Sequence, residues 1–255
     1  MSTRKKLILL LANFCGTIWR LFPSRLSRYF IFGLLVISSR QKFANKALIE
    51  LFWIEDKLNL VINERALAYG ENEHPKHTLI PYHNFFTDHI EDGENVIDIG
   101  CGYGAVARSI ALAKPKSLVL GIDNDFTRFT QAINSKNPEN LSFLLADIEK
   151  SMALPDIKWD TVVLSNVLEH LENRIQSLKD IATVTKADKY LIRVPAFERG
   201  WKIALRKKLG INYFQDDDHK IEHTLAEFKS EIFQSGLQLR SIDLIWGEIW
   251  AVCAI

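Results

Sequence analysis

The chain has 255 residues, of which 47% are hydrophobic and 25% charged, and a formal net charge of +1 at pH 7. This balance is that of a globular protein and excludes a disordered, collagen-like or disulfide-rich chain. The three cysteines, Cys15, Cys101 and Cys253, are widely separated without metal-ligand spacing, which is typical of a reducing compartment. We therefore expect a cytoplasmic protein with one domain of ordinary size plus an extension.

The amino-terminal residues 1–49 carry nine basic side chains and no acidic one, whereas the remainder carries 23 basic and 31 acidic side chains. Apolar and aromatic residues alternate with these basic ones, a pattern typical of segments that bind an anionic membrane surface. The 13 residues between Lys6 and Arg20 are too few for a helix to cross a hydrocarbon core of about 30 Å. We predict that residues 1–42 lie peripherally on the inner face of the membrane. Packing on the fold or on another subunit is the alternative, and a signal peptide is a third.

Residues 43–92 form a predicted helical lead-in. Between Phe43 and Tyr69 apolar residues recur at helical spacing, and Gly70 is placed to end that helix. Another helix is expected around residues 84–90.

The segment from Val96 to Gly104 reads Val-Ile-Asp-Ile-Gly-Cys-Gly-Tyr-Gly, and residues 105–113 read as a helix. Glycines let the backbone turn tightly and approach a ligand, while the start of a helix presents free N–H groups. The pattern predicts a strand–turn–helix unit that holds a nucleotide-like cofactor. Taken alone, it fits a dinucleotide as well as other adenosine-containing cofactors.

Acidic residues also close the predicted strands that follow. The apolar run 118–122 ends at Asp123, where a carboxylate can accept hydrogen bonds from both ribose hydroxyls, and the run 141–146 ends at Asp147. A fourth strand, residues 159–165, leads into Asn166 and then Glu169-His170. Ligands bind at the carboxyl ends of the strands in open α/β sheets, so these side chains are expected to converge on one site.

With Asp98 two residues before the first glycine, this set resembles the motifs of class I methyltransferases that use S-adenosylmethionine. The segments Arg193–Trp201 and Asp216–Glu222 and the terminal Trp-Gly-Glu-Ile-Trp-Ala resemble small-molecule methyltransferases encoded among glycan-assembly enzymes. The resemblance implies an α/β fold: a doubly wound, mostly parallel seven-stranded Rossmann-like sheet, with an N-terminal helical extension and an antiparallel last strand. It would span residues 93–255, with an insertion at 196–223.

The same resemblance implies S-adenosyl-L-methionine as the cofactor. The implied contacts are Asp98, Gly100, Cys101, Gly102, Gly104, Asp123, Asn124, Asp147, Ile148, Asn166 and His77. A dinucleotide would explain Asp123 equally well, but it gives no reason for Asp98, Asp147 and Glu169-His170 together.

Candidate catalytic bases are His170, His219 and His223, because imidazole titrates near neutrality. Glu169-His170 resembles part of the Glu-x-x-Glu-His metal site of quinone-biosynthesis O-methyltransferases. Since Asn166 stands at the position of the first acid, we predict no metal. The Asn/Asp-Pro-Pro-Tyr/Phe motif of base-amine methyltransferases does not follow the fourth strand, so no nucleic-acid acceptor is expected.

Three functions stay open at this point. The first is O-methylation of a sugar or a lipid-linked glycan, in which Arg193, Arg199, Lys202 and Arg206 would meet phosphates. The second is methylation of a lipophilic small molecule such as a quinone precursor. The third is a catalytically silent scaffold that binds the cofactor. The sequence does not indicate the oligomeric state.

Overall fold

The computed structural model describes residues 15–17, 19, 21, 23–70, 75, 79–150 and 154–255. The chain divides into two compact units, Met1–His74 and Pro75–Ile255. The predicted lead-in, residues 43–92, crosses this boundary.

The first unit contains helix α1, Ser24–Ser38, and helix α2, Ala44–Tyr69, which contact each other. The predicted end of α2 is confirmed, since the N–H of Gly70 donates to the carbonyl of Ala66 at 3.0 Å. No residue of α1 is buried, and Tyr29, Phe30 and Phe32 are all exposed. In the described part of the chain no helix combines the length and apolar character needed to cross a membrane. The apolar run 7–12 lies outside the described residues.

The second unit is built on one seven-stranded sheet. Its strands are β1 Val96–Ile99, β2 Val119–Asp123, β3 Leu141–Leu145, β4 Thr161–Ser165, β5 Lys189–Pro195, β6 Gln238–Ile245 and β7 Glu248–Ala254. Its helices are α3 Tyr82–Asp88, α4 Ala105–Ala113, α5 Phe126–Asn134, α6 Arg174–Thr185, α7 Trp201–Leu209 and α8 Leu225–Gln234. Short 3₁₀ helices cover Leu168–His170 and Phe197–Arg199.

The strands lie in the order β3-β2-β1-β4-β5-β7-β6. Neighbouring strands from β3 to β5 are parallel, while β7 runs antiparallel to both β5 and β6. This confirms the predicted mostly parallel, doubly wound sheet with an antiparallel last strand. Chain order reverses next to β1, between β1 and β4, and ligands of such sheets bind at a reversal of this kind.

Both faces of the sheet are buried, and alternate residues of each central strand belong to different cores. Ile97, Val162 and Ile192 pack with residues of α6 and α8 on one face. Val163 and Leu191 pack with residues of α3 and α4 on the other. A strand covered on both sides must be apolar throughout, which explains the uninterrupted apolar runs in the sequence.

The predicted insertion, residues 196–223, contains α7, which the sequence pattern did not indicate. Its last part returns to the sheet edge, where the N–H of Lys220 donates to the carbonyl of Glu169 at 2.7 Å. This hydrogen bond ties the insertion to the turn after β4.

Candidate active site

The turn after β1 depends on glycine. Gly100, Gly102 and Gly104 have φ angles of +68°, +57° and +76°. A Cβ at Gly100 would lie 2.6 Å from the Val167 side chain, and one at Gly104 would lie 2.7 Å from the Phe143 ring. The backbone conformation disfavours a side chain at all three glycines, and lack of space excludes one at Gly100 and Gly104. Bare backbone therefore lines the cavity that the turn borders.

Asp98, inside β1, is 1% exposed, and its Oδ2 has no hydrogen-bond partner among the described residues. Burial raises the pKa of Asp98 to about 7, although a backbone hydrogen bond from Ala107 acts in the opposite direction. A buried carboxylate oxygen without a donor is costly. The adjacent cavity therefore suits a ligand that brings a cationic donor, such as an ammonium group.

A cavity of about 220 Å³ lies at the carboxyl ends of β1, β2 and β3, and Asp123, Asn124, Asp147 and Ile148 line it. The two carboxylate oxygens of Asp123 accept from the N–H groups of Gly102 at 2.7 Å and Asp125 at 2.9 Å. One lone pair remains on each oxygen, which matches two neighbouring hydroxyl groups. A hydrogen bond from Lys150 lowers the pKa of Asp147.

A second cavity, of about 410 Å³, adjoins the first at Gly100 and Asn166, which line both. Asn166 has a φ angle of +57°, and its side-chain Oδ1 is buried without a partner among the described residues. Its N–H donates to the carbonyl of Arg193 at 2.8 Å. Left-handed backbone at a residue other than glycine is uncommon and clusters at functional sites. Asn166 thus marks the junction of the two cavities.

One wall of the larger cavity is a network around Arg193. Its Nε and Nη2 donate to the two carboxylate oxygens of Glu248 at 2.6 and 2.5 Å, and its Nη1 donates to the hydroxyl of Ser165 at 3.2 Å. The guanidinium lies 4.0 Å from the centroid of the Tyr82 ring. Residues of four elements, β4, β5, β7 and α3, thus hold this wall in place.

The sequence led us to expect that the arginines of this region meet phosphates, but the structure shows that protein acceptors already occupy them. Arg193 pairs with Glu248, and Arg199, also lining the larger cavity, pairs with the buried Glu222. Arg206 is buried and donates to the carbonyl of Asn212. The physical reason is that each cation already has a protein acceptor in a partly desolvated setting.

Of the three candidate catalytic histidines, His170 lines the smaller cavity. Its Nδ1 lies 3.3 Å from the carboxylate of Asp218, and burial lowers its pKa. Its ring meets that of His219 edge to face, with centroids 4.7 Å apart.

His219 and His223 lie outside the lining of both cavities. His219 is buried with its Nδ1 2.9 Å from Glu222, and His223 is fully buried with its Nε2 2.9 Å from Glu231. Burial alone would lower the pKa of His219, but the hydrogen bond to Glu222 and the charge of Glu169 raise it overall. Carboxylates and packing enclose both rings, so the structure gives neither ring contact with a cavity, and their role as acceptor-site bases stays a prediction.

The remaining predicted contacts separate into groups. Asp98, Cys101 and Gly102 line the larger cavity, and burial raises the pKa of the Cys101 thiol, which disfavours its thiolate form. Gly104 lines neither cavity and instead precedes α4. His77 lies outside the described residues.

Sequence reasoning missed several lining residues. They are Arg128, Glu149 and Asp218 in the smaller cavity, and Tyr82, Gln215 and Trp246 in the larger one. The Trp-Gly pair before β7 carried a turn signal, but residues such as Arg128 and Gln215 stand in no recognisable pattern.

Comparison with known proteins decides between the two cofactor classes. Residues 97–192 match the family model described as "Methyltransferase domain". These residues contain most of β1, all of β2 to β4, most of β5, the glycine turn and both strand-end aspartates. This part of the chain is a class I, S-adenosylmethionine-dependent methyltransferase domain.

Curated relatives match this chain over limited lengths. N-methyltransferase 4 of Papaver somniferum is 29% identical over 38% of this chain and 28% of its own length. Malonyl-[acyl-carrier protein] O-methyltransferase 2 of Ilyobacter polytropus is 29% identical over 43% of this chain and 44% of its own. The chain thus spans less than half the length of each of these relatives.

A solved structure shows the same fold. Magnesium protoporphyrin IX methyltransferase from Synechocystis PCC 6803, crystallised with bound SAH, superposes with a TM-score of 0.52. It is 18% identical and covers 70% of this chain and 82% of its own.

Proposed function

We propose that the chain is an S-adenosylmethionine-dependent methyltransferase whose acceptor enters the larger cavity. The observation that carries this proposal is the pair of adjoining cavities that meet at Gly100 and Asn166. One has the chemistry of an adenosine site and the other contains the open carboxylate of Asp98. Methyl transfer needs the donor methyl group and the acceptor atom in line and shielded from water, which such a junction provides.

The described residues fit the cofactor. Asp123 would accept the ribose hydroxyls and Asp147 would face the adenine edge, while Asp98 would accept the ammonium group of the methionine end. When bound, S-adenosyl-L-methionine supplies an electrophilic methyl group on a positively charged sulfur. The chain orients this group through bare glycine backbone and the strained Asn166, so little reorganisation is needed during the reaction.

We assign a saccharide hydroxyl, free or lipid-linked, as the acceptor. The larger cavity combines the rings of Tyr82 and Trp246 with the polar groups of Ser165, Gln215 and Glu248, a mixture that suits the apolar faces and hydroxyl edges of a sugar. On Glu248, Oε2 accepts from Arg193 and from the indole N–H of Trp250, whereas Oε1 accepts from Arg193 and from no other residue that the structure describes. The remaining lone pair of Oε1 would receive the hydroxyl hydrogen, and the proton would leave through this carboxylate as the new O–C bond forms and the C–S bond breaks.

An amine acceptor is the second candidate. No imidazole of the described residues lines the larger cavity, and a neutral amine attacks without prior deprotonation. One relative matched by the chain carries the name N-methyltransferase and another O-methyltransferase, so both acceptor atoms occur among similar proteins.

The test is a comparison of membrane lipids, glycans and small metabolites from cells with and without the gene, by mass spectrometry. Loss of one CH₂ unit from a saccharide supports the assignment, and purified full chain should restore it in extracts from the deletion strain. Loss from a quinone precursor or an amine would overturn the acceptor while leaving the methyltransferase in place. If the protein binds S-adenosylmethionine but restores no methylated product in any fraction, the scaffold alternative holds and the enzyme proposal fails.

We also propose that α1 binds an anionic membrane surface. Leu26, Tyr29, Phe30 and Phe32 are exposed on a helix without buried residues, and the first acidic residue of the chain is Glu50. Apolar exposure combined with unopposed positive charge is what an interfacial helix requires.

The proposed membrane contact is tested with the full chain and vesicles of anionic or neutral lipid. Phe30→Ser/Phe32→Ser should reduce sedimentation with anionic vesicles, whereas Phe233→Ser, at an even more exposed phenylalanine of α8, should not. Equal sedimentation of all three proteins would overturn this proposal.

A further inference from the structure

The turn after β4 and the insertion bring three metal-binding side chains together behind the smaller cavity. One ligand atom each from Glu169, His170 and His219 lies within 4.8 Å of the other two. Glu169 and His170 come from the 3₁₀ helix after β4, and His219 comes from the insertion. The insertion is held there independently by the hydrogen bond from the Lys220 N–H to the Glu169 carbonyl.

Glu169 makes this cluster unusual. The side chain is fully buried, yet neither carboxylate oxygen has a hydrogen-bond partner among the described residues. Buried carboxylates are normally paired or coordinate a metal, because an uncompensated buried charge is strongly unfavourable. The two imidazoles beside it are ligands of the type that would compensate it through a shared cation.

The two histidine rings are oriented by further carboxylates. The Nδ1 of His219 lies 2.9 Å from Glu222, and the Nδ1 of His170 lies 3.3 Å from Asp218. A ring that donates its Nδ1 hydrogen to a carboxylate offers Nε2 to an ion, an arrangement that recurs around histidine ligands of metals. The Asp216 carboxylate, 3.5 Å from the His219 Nε2, is exposed and could complete the set.

We propose that Glu169, His170 and His219 bind one divalent transition-metal ion of the zinc type. Two imidazoles and one carboxylate favour Zn²⁺, Co²⁺ or Fe²⁺ over Mg²⁺ and Ca²⁺, which prefer oxygen ligands. Ligands of a tetrahedral zinc site lie roughly 3.4 Å apart, so ligand atoms that lie within 4.8 Å of one another need to close by up to about 1.4 Å. The prediction of no metal rested on Asn166 at the first acid's position, whereas the third ligand proposed here comes from a different segment.

The ion would fasten the insertion to the turn after β4. His170 and Asp218, one from each segment, both line the smaller cavity. Fixing these segments together would therefore fix one wall of the cofactor site. This role does not depend on which acceptor is methylated.

The test uses the full chain, freed of metal with a chelator and then titrated with Co²⁺ or Zn²⁺. One equivalent of Co²⁺ should bind with the visible absorption of a tetrahedral or five-coordinate nitrogen–oxygen site, and Zn²⁺ should displace it and raise the Tm. Glu169→Gln and His219→Gln should each weaken binding roughly 100-fold and remove the rise in Tm. The control His89→Gln, at an exposed histidine whose Nδ1 is hydrogen-bonded to the Phe85 carbonyl, should bind as the wild type does.

The metal-free variants keep the test decisive. Because the Glu169→Gln substitution removes a buried charge with little change in side-chain shape, the metal-free variant should be at least as stable as the metal-free wild type. If Glu169→Gln does not fold, His219→Gln and His170→Gln provide the same comparison of metal binding with the wild type. Absence of stoichiometric binding by the wild type, or binding unchanged in all ligand variants, would overturn the proposal.

Discussion

Two largely buried glutamates of the second unit, each beside a histidine, have opposite surroundings. Glu231 accepts hydrogen bonds from Arg174 at 2.8 and 3.0 Å and pairs with His223. Burial alone would raise its pKa, but His223 and Arg174 lower it to about 2. Glu169 has no such partners, and burial raises its pKa to about 8.

The same contrast appears at the larger cavity. Glu248 has Arg193 as its partner, whereas Asp98 has an open oxygen. All four carboxylates are buried or largely buried, so burial alone does not explain the difference between them. They differ in whether the chain supplies a donor that stabilises the charged form. Carboxylates whose charge is paired within the chain should stabilise the fold, even where one lone pair also faces a cavity, as at Glu248. Those left open should act in ligand binding. The predictions below test this division, from the largest expected effect to the smallest.

Arg174→Met should lower the free energy of unfolding by about 3–4 kcal/mol, because it leaves the largely buried Glu231 carboxylate without its main partner. Chemical denaturation measures this loss. Lys220→Ala removes an exposed ion pair with Glu172 and should leave stability unchanged within error. Equal losses for both variants would show that burial of the pair does not matter.

Acid should destabilise the domain through the same carboxylate. Since the pKa of Glu231 is lower in the folded than in the unfolded state, its contribution is fully present above about pH 4.5. It is lost as the pH falls toward 2. The loss amounts to up to about 3 kcal/mol. Glu231→Gln should have a flatter dependence of unfolding free energy on pH between 5 and 2; parallel curves for the two proteins would contradict the assignment.

Asp98→Asn should leave the fold stable but weaken S-adenosylmethionine binding roughly 10- to 150-fold, or about 1.5–3 kcal/mol for a charge-assisted hydrogen bond. Isothermal titration measures both this ligand and 5′-methylthioadenosine, which lacks the amino-acid end and should bind the variant unchanged. Wild-type affinity for the full cofactor should also fall below about pH 7, where Asp98 becomes protonated. A variant that loses both ligands equally would remove Asp98 from the methionine end.

Asp123→Ala should weaken both ligands, roughly 5- to 150-fold, or ~1–3 kcal/mol, because each carries the ribose hydroxyls. Part of this loss comes from the turn, since Asp123 also holds the N–H groups of Gly102 and Asp125. Unchanged affinity for methylthioadenosine would refute the ribose assignment.

Local pattern was sufficient for the parts of this molecule that depend on backbone chemistry. Alternating glycines at 100, 102 and 104 and apolar runs closed by Asp123 and Asp147 predicted the turn, the strands and the smaller cavity. The same reasoning did not reveal the ion pairs of His223 and Arg193. A motif such as Trp-Gly-Glu-Ile-Trp-Ala, which contains Glu248, does not say which side chain each of its residues contacts. Whether a charged residue faces a ligand or a protein partner depends on tertiary contacts that one sequence does not display.

The pairing of β5 with β7 has a consequence for biosynthesis. The parallel strands β1 to β5 are complete once residue 195 has left the ribosome, but β7 lies between β5 and β6 and is made last. Until then the nascent domain exposes an unpaired strand edge, a template for aggregation. If translation stalls between β6 and β7, the chain already contains the smaller cavity but still exposes the unpaired edge of β5. Such a chain is prone to aggregate, so this stretch is a point at which a chaperone would protect it.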